Sequence, residues 1–403
     1  MQMWIYIVRR LILVVPIVVG VMTITFALVS ALPIQDRLIS AFGEPGKNSK
    51  GGYNPTVPCT DLNINKTGDC PNPLYVRDTH KLGLDQPIFF QWGLYIEKSL
   101  TFQWGYVDNH SGASLDIGVI QGQSITTVLS WLLPYTLELA IYSLILILIV
   151  SIPLGNLAAV YRNRPIDQGS RVISFSGYAL PGFLLGTFLL MAFVLAFDST
   201  TGGVDPTCKG ESLYQFFYGS WPSQLCFSNG AYPSWLSSGG VVSSPTGFPT
   251  VDAGIHGQWW LMLDTIIRMT LPALVIAYGT IASLLRFVRN SMLEVMNLDF
   301  VRTARSKGVP ENIVISKHAG RNSLNVTITV LGLTFAFFIG GFPVVETIFN
   351  LNGVGRIFVY ALLSPYDFGL IFGSTLLFTF LVVFANIIVD VLYAYLDPRV
   401  RLG

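Results

Sequence analysis

Long apolar stretches alternate with polar ones along the whole chain. Each apolar stretch has the roughly 20 residues that a helix needs to cross a bilayer. They cover residues 12–32, 136–161, 172–197, 266–287, 326–349 and 368–396. Because lipid offers no hydrogen-bond partners, a spanning segment must be a helix or part of a closed barrel, and the short alternating segments of a barrel are absent. The pattern therefore predicts an all-α integral membrane protein with six transmembrane helices.

Composition and charge agree with that class. The chain is 52% hydrophobic and 12% charged, against about 25% charged in an ordinary soluble protein. The net charge of +1 gives no basic field for nucleic acid, so the lipid bilayer is the expected surroundings. Fourteen of the 24 Lys and Arg residues flank the spans on one side. The positive-inside rule then predicts a multi-pass protein of the cell membrane with both termini cytoplasmic.

The polar segments divide the chain into five parts. Residues 1–32 form an uncleaved first span, because the apolar run continues without a small-residue cleavage site. The other parts are an external segment (33–126), spans two and three (127–197), an external insertion (198–264), and spans four to six (265–403). The insertion is long and rich in aromatic residues, which predicts a small folded cap rather than a linker.

All four cysteines lie in the two external segments. Cysteines on the oxidising side of a membrane are expected to form disulfides, most simply Cys59–Cys70 and Cys208–Cys226, although three pairings are possible. The spacing lacks the close Cys and His pairs of a zinc site, so no metal is expected. Asn65 and Asn109 begin Asn-x-Ser/Thr sequences on the same side and are candidate glycosylation sites.

Three carboxylates lie in or near the predicted spans: Glu138, Glu346 and Asp390. An intramembrane carboxylate is costly and faces protein or water. Two interpretations stay open. The carboxylates line a transport pathway, or they are structural hydrogen-bond partners near span ends, with Arg268 or Arg356 as candidate partners.

A basic polar loop at residues 290–322 separates two very apolar segments. Asp299 suits a helix N-cap and begins a stripe of apolar residues. Gly308 ends that helix, and Pro310 suits the first turn of a second one, with Glu311 at its positive end and Ile313 on one face. These helix-starting and helix-ending residues predict a helix–glycine–helix elbow, residues 299–321, to which another protein could bind.

The letters of this elbow resemble a known family. VRTARSKGV (301–309) and HAGRNSL (318–324) are similar to the EAA loop of type I permeases of ABC importers, in the dipeptide, oligopeptide and nickel group of the binding-protein-dependent transport family. LGLDQP (82–87), GGFPVVETIFNLNGVGRIF (340–358) and the closing span with its DPRVR terminus resemble the same group. Asn352 stands where the family often has proline, and the insertion at 198–264 is a second departure.

The resemblance implies a permease subunit without catalytic activity. It forms half of a translocation pathway for dipeptides or oligopeptides, with a second homologous permease, two ATP-binding subunits and an extracellular substrate-binding protein as partners. ATP and Mg²⁺ would be bound by the partners, with no cofactor in this chain. The elbow would contact the ATPase subunits through Phe300, Val301, Arg302, Ala304, Arg305, Gly308, Val309 and Ile313.

Other functions fit the sequence less well. A relative that imports oligosaccharides would share this architecture, and aromatic external loops could stack on sugar rings. A secondary transporter would need coupling charges and usually an internal repeat, and the chain has few buried charges and no convincing repeat. The motifs of zinc proteases, serine hydrolases and phosphate-binding loops are also missing, which disfavours an enzyme or an ATPase.

Overall fold

The computed structural model describes residues 2–43, 52–59, 69–108, 122–198, 246–320, 322–323, 342–363 and 366–396. Helices dominate this part of the chain. They are α1 (Gln2–Ser30), α2 (Ile34–Phe42), α3 (Pro73–Lys81), α4 (Ile88–Leu100), α5 (Ile125–Val160), α6 (Pro165–Ala179), α7 (Gly182–Asp198), α8 (Pro249–Ile255), α9 (Trp259–Met296), α10 (Asp299–Ser306), α11 (Glu311–Ile313), α12 (Phe342–Ile348), α13 (Val354–Ala361) and α14 (Phe368–Leu396). A π-helix (Val314–Gly320) follows α11, and two short strands are β1 (Thr56–Pro58) and β2 (Asp69–Pro71).

Within the described residues, four helices are long and apolar enough to cross a membrane. These segments are Ile12–Ser30, Ile125–Val160, Thr265–Met296 and Phe368–Ile388. The bent pair α6 and α7 makes a fifth if it is counted as one span. Most of the predicted span at 326–349 lies outside the described residues. The helical class is thus confirmed, while the count of six stays a prediction.

The third predicted span is not one unbroken helix. In the structure, residues 172–197 belong to two helices, α6 and α7, which meet at a bend of 107°. Leu180 at the break is extended, with φ −101° and ψ 116°. Pro181 explains the break, because its ring disfavours the helical conformation of the residue before it and it has no N–H to donate.

Helix α9 extends beyond the predicted fourth span at both ends. Its 38 residues begin at Trp259, inside the segment that was predicted as the insertion. Of that insertion, residues 199–245 lie outside the described part, and the remainder contributes α8. At 1.5 Å per residue α9 is about 57 Å long, nearly twice the hydrocarbon thickness, so its last turns carry the elbow away from the apolar core.

The first predicted external segment contains a feature that the sequence did not reveal. Strands β1 and β2 pair antiparallel, with Val57 opposite Cys70. The Cys59–Cys70 disulfide closes this hairpin and agrees with the simplest pairing from the sequence. Cys208, Cys226, Asn65 and Asn109 lie outside the described residues.

The chain forms two compact units. One consists of Met1–Ile7, Pro134–Arg356 and Ala385–Gly403, and contains the elbow. The other consists of Val8–Leu133 and Ile357–Phe384. In the first unit, Ala282, Leu285 and Val288 of α9 are fully buried. In the second unit, Leu38, Ile125 and Leu370 are fully buried.

Candidate functional site

The first half of the elbow is the short helix α10. Leu298, with φ −74° and ψ 151°, is its N-cap, and no side chain caps it. The expectation that Asp299 is the N-cap is therefore wrong, since Asp299 is the first helical residue. Its carboxylate still lies in the first turn, where the helix dipole favours negative charge.

Gly308 ends this helix in the left-handed conformation, with φ +77°. The Gly308 N–H donates to the Arg305 carbonyl at 2.9 Å, and the Val309 N–H donates to the Ala304 carbonyl at 3.3 Å. This pair of bonds is the Schellman arrangement, which satisfies two carbonyls at the helix end. A side chain would meet no atom within 4 Å here, so the backbone conformation alone favours glycine.

The second half differs from the predicted helix. Pro310 is its N-cap, only Glu311–Ile313 are α-helical, and residues 314–320 form a π-helix. An ion pair joins the two halves: Arg305 Nη2 lies 2.7 Å from Glu311 Oε1, and Arg305 Nε lies 3.1 Å from Oε2. The hydrogen bonds from Arg305 lower the pKa of the Glu311 carboxyl.

A small apolar core holds the elbow to the ends of two long helices. Val301 and Ala304 of α10 are buried in it, together with Val314 and Ala319. Its other buried members are Met292 and Val295 of α9 and Ala159 of α5. Val301 and Ala304, which the sequence placed among the contacts to a partner, thus face the interior of their own chain. This core joins the elbow to α5 and α9.

The outer side of the elbow keeps an apolar patch with a basic rim. Leu298, Phe300 and Ile313 are between 40% and 45% exposed. Arg302, Lys307 and Lys317 are exposed as well. We call Leu298, Phe300, Arg302, Lys307 and Ile313 the elbow surface. Exposed apolar side chains rimmed by polar ones are typical of protein–protein contacts.

A buried ion cluster that the sequence analysis missed lies near the end of α9. Asp167 is fully buried and accepts hydrogen bonds from Arg289 Nε at 2.6 Å, Arg171 Nη2 at 2.8 Å and the Asn163 N–H at 2.9 Å. It therefore ties the turn between α5 and α6 to α9. The spacing of Asp167 and Arg171, four residues apart, was the one available signal.

Glu346 is fully buried in what we call the Glu346 turn, residues 346–356. Its carboxylate accepts hydrogen bonds from Thr136 Oγ1 at 2.8 Å and from the Arg356 N–H at 3.0 Å. A Cβ on Gly353 would lie 2.3 Å from this carboxylate, so only glycine leaves room for it. These contacts support the structural interpretation of Glu346.

Of the other two intramembrane carboxylates, the structure describes the contacts of Glu138 only. Glu138 accepts hydrogen bonds from the Thr250 N–H at 3.2 Å and from the Thr250 hydroxyl. The side chains of Asp390 and Arg268 lie outside the described part. In that described part, no group of three His, Cys, Asp or Glu residues is placed to hold a metal ion.

Comparison with known proteins identifies the class. The family described as "Binding-protein-dependent transport system inner membrane component" matches residues 151–402. The chain is 30% identical to the oligopeptide transport system permease protein AppB of Bacillus subtilis over 98% of its own length and 99% of that protein. It is 30% identical to the dipeptide transport system permease protein DppB of Escherichia coli, over 98% of both chains. The probable D,D-dipeptide permease DdpB of the same organism is 31% identical over 80% of this chain and 83% of its own.

The chain therefore belongs to the binding-protein-dependent transport system inner membrane component family. It is a multi-pass membrane permease and not an enzyme. The family match includes the elbow, the Glu346 turn and the closing span, whose sequences carried most of the resemblance; LGLDQP at 82–87 lies outside the match.

Proposed function

We propose that this chain is the permease subunit of an ABC importer of dipeptides or oligopeptides, and that the elbow surface docks onto its ATP-binding subunits. The observation that carries this proposal is the elbow itself. Its buried core fixes it to α5 and α9, while its other side presents exposed apolar and basic side chains. A merely structural loop would have no need of that exposed apolar patch.

The peptide substrate is supported by the relatives. AppB is named for oligopeptides and DppB for dipeptides, and each aligns over nearly the whole chain. The relatives described above are named for peptides, so the oligosaccharide alternative is not favoured. Aromatic residues of the 198–264 segment carry no argument for it, because most of that segment lies outside the described residues.

The assembly that follows contains a second homologous permease, two ATP-binding subunits and an external substrate-binding protein. The two ATP-binding subunits would supply the ATP and Mg²⁺ chemistry. The basic residues at the elbow support a cytoplasmic position for it, and the positive-inside rule supports the same side for both termini. The predicted external segment 33–126, which contains the Cys59–Cys70 hairpin, would then face the substrate-binding protein.

Phe300→Asp tests the docking directly. Phe300 is 41% exposed, so the change leaves the elbow core intact but places a charge in the contact. Because burying an unpaired charge costs several kcal/mol, we expect at least about a tenfold loss in affinity for the ATP-binding subunits and a matching loss of ATP-driven peptide uptake. Co-purification of the subunits and uptake into proteoliposomes measure both effects.

Val251→Asp is the matched control, since Val251 is 48% exposed but lies in α8. It should leave the ATP-binding subunits attached. Normal docking and uptake in the Phe300 variant would contradict the proposed role of the elbow surface.

A further inference from the structure

A cavity of about 430 Å³ lies in the unit that contains α1, α2, α4 and the start of α14. This volume is within the range of small-molecule sites, about 300–1,000 Å³. Its walls are largely aromatic and aliphatic. They include Phe26, Val29, Tyr95, Trp104, Phe372 and Leu376.

Two basic side chains, Arg37 and Lys98, also line this cavity. Arg37 Nη2 donates to Gln91 Oε1 at 3.0 Å, which is a neutral partner. Among the described residues, no acidic side chain lines the cavity and none forms an ion pair with either cation. Burial lowers the pKa of both side chains. An anion in the cavity would offset this loss of hydration.

The cavity lies at one edge of the bilayer. Phe26 and Val29 belong to the last turns of α1, which spans from Ile12 to Ser30, and Phe372 and Leu376 belong to the first turns of α14. The cavity therefore faces the level where hydrocarbon gives way to headgroups. Lipid phosphates lie at this level of a bilayer.

Helix α4 indicates the same level independently. Trp92 Nε1 donates to Thr23 Oγ1 at 3.0 Å, and Tyr95 donates to Thr25 Oγ1 at 3.1 Å, so α4 lies against the spanning part of α1. Phe89, 83% exposed, protrudes from α4. An apolar face at that position, beside polar and aromatic residues, is typical of a helix lying in the membrane interface.

We propose that this cavity binds the phosphate headgroup of an anionic phospholipid, such as phosphatidylglycerol, from the leaflet in which α1 ends. Arg37 and Lys98 would donate to the phosphate oxygens, since charge-assisted hydrogen bonds to phosphate are strong. The apolar walls would cover the glycerol and the first methylenes of the acyl chains. A free anion would leave those walls uncovered, which is why the lipid is the favoured source of the phosphate.

The test uses the full chain purified in its transporter complex and stripped of lipid in detergent. Three probes are titrated: dihexanoyl phosphatidylglycerol, dihexanoyl phosphatidylcholine and inorganic phosphate. Tryptophan fluorescence reports binding near Trp104, and native mass spectrometry counts bound lipid. We expect phosphatidylglycerol to bind at least about fivefold tighter than phosphatidylcholine, because only the former carries a net charge.

Arg37→Gln and Lys98→Gln should each weaken phosphatidylglycerol binding about fivefold, the effect of one basic residue near an anionic lipid surface. Arg77→Gln is the control on the same unit, because Arg77 is exposed and already paired with Asp78. Arg77→Gln should leave phosphatidylglycerol binding unchanged. Val29→Phe keeps both charges and narrows the cavity, so it should weaken lipid binding while the variant keeps the wild-type melting temperature.

Each contrary result overturns the proposal in a distinct way. Equal binding of inorganic phosphate would mean a site for small anions. Displacement of the lipid by a tripeptide would place the cavity on the substrate route. Undiminished phosphatidylglycerol binding in Lys98→Gln and Val29→Phe would remove the cavity from lipid binding, even if Arg37→Gln failed to fold.

Discussion

The elbow and the Glu346 turn are both short polar segments next to apolar helices. They differ in whether their polar groups are buried or exposed. In the Glu346 turn the carboxylate is fully buried and accepts hydrogen bonds from Thr136 and Arg356. In the elbow the main ion pair, Arg305 with Glu311, lies on the surface, where each side chain is more than a third exposed. The Glu346 carboxylate finds its hydrogen-bond partners within the chain. The elbow instead leaves charged and apolar side chains exposed for contact with another protein.

This difference separates structural polar residues from those that meet a partner. A buried, hydrogen-bonded carboxylate that needs glycine for space contributes to the packing of its own helices. An exposed apolar patch with a packed core beneath it can bind another protein while the segment keeps its fold. Three substitutions, two of them paired with a matched companion variant, test that separation.

Gly353→Ala should have the largest effect. Its Cβ would lie 2.3 Å from the Glu346 carboxylate, so the side chain must move and lose its hydrogen bonds. Overpacking together with unsatisfied polar groups should lower the stability by about 4 kcal/mol. Thermal unfolding of the purified complex measures the loss.

Gly308→Ala is the matched glycine in the elbow. It meets no atom within 4 Å, so only the φ of +77° opposes it, at about 1 kcal/mol. A melting temperature lowered equally by the two substitutions would abolish the distinction between the segments.

Ala304→Asp should have an intermediate effect. Ala304 is buried among Val301, Val314 and Ala319, so an Asp side chain there would be unpaired and would take up a proton; burying the neutral acid without a hydrogen-bond partner would cost about 2 kcal/mol. We expect the elbow to open locally while the Glu346 turn stays folded. Trypsin should then cut faster after Arg302, Arg305 and Lys307.

The neighbouring Thr303→Asp is the control for this variant, because Thr303 is exposed on the same helix. It should be cut at the wild-type rate. Identical cleavage of the two variants would show that Ala304 does not hold the elbow together.

Arg305→Ala should have the smallest effect on stability, about 0.5 kcal/mol, since solvent and salt screen an exposed pair. Arg305 lowers the Glu311 pKa, so the pair contributes above the unfolded carboxyl's pKa of about 4.3 and is lost as the pH falls through the folded value. Amide exchange in α10 should therefore be insensitive to this change at pH 3 and slightly faster in the variant at pH 7. An equal acceleration at both values would assign the effect to the side chain's packing and not to the ion pair.

Much of this architecture could be predicted from the sequence because hydrophobic length and turn residues are local signals. Four of the predicted spans, the glycine turn at Gly308 and the Cys59–Cys70 pairing required no knowledge of distant contacts. The break at Pro181 was also locally encoded, although the sequence analysis predicted one unbroken span there.

The burial of Ala304, the Asp167 cluster and the bonds to Glu346 were not predictable, because each depends on residues far apart in the chain. Asp167 meets Arg289, which is 122 positions away, and Glu346 meets Thr136, which is 210 positions away. Amphipathic spacing identified the apolar stripe on α10. It could not tell which apolar residues face α9 and which face outward, since Val301 and Phe300 are neighbours in sequence.

The length of α9 gives the molecule a mechanical property. The helix is continuous from Trp259 to Met296, with the elbow packed on one end and α8 preceding the other. A rod of about 57 Å that tilts by about 5° displaces one end relative to the other by about 5 Å. That displacement equals nearly one helical turn, so a small angular change beneath the elbow moves the far end by the width of a side chain.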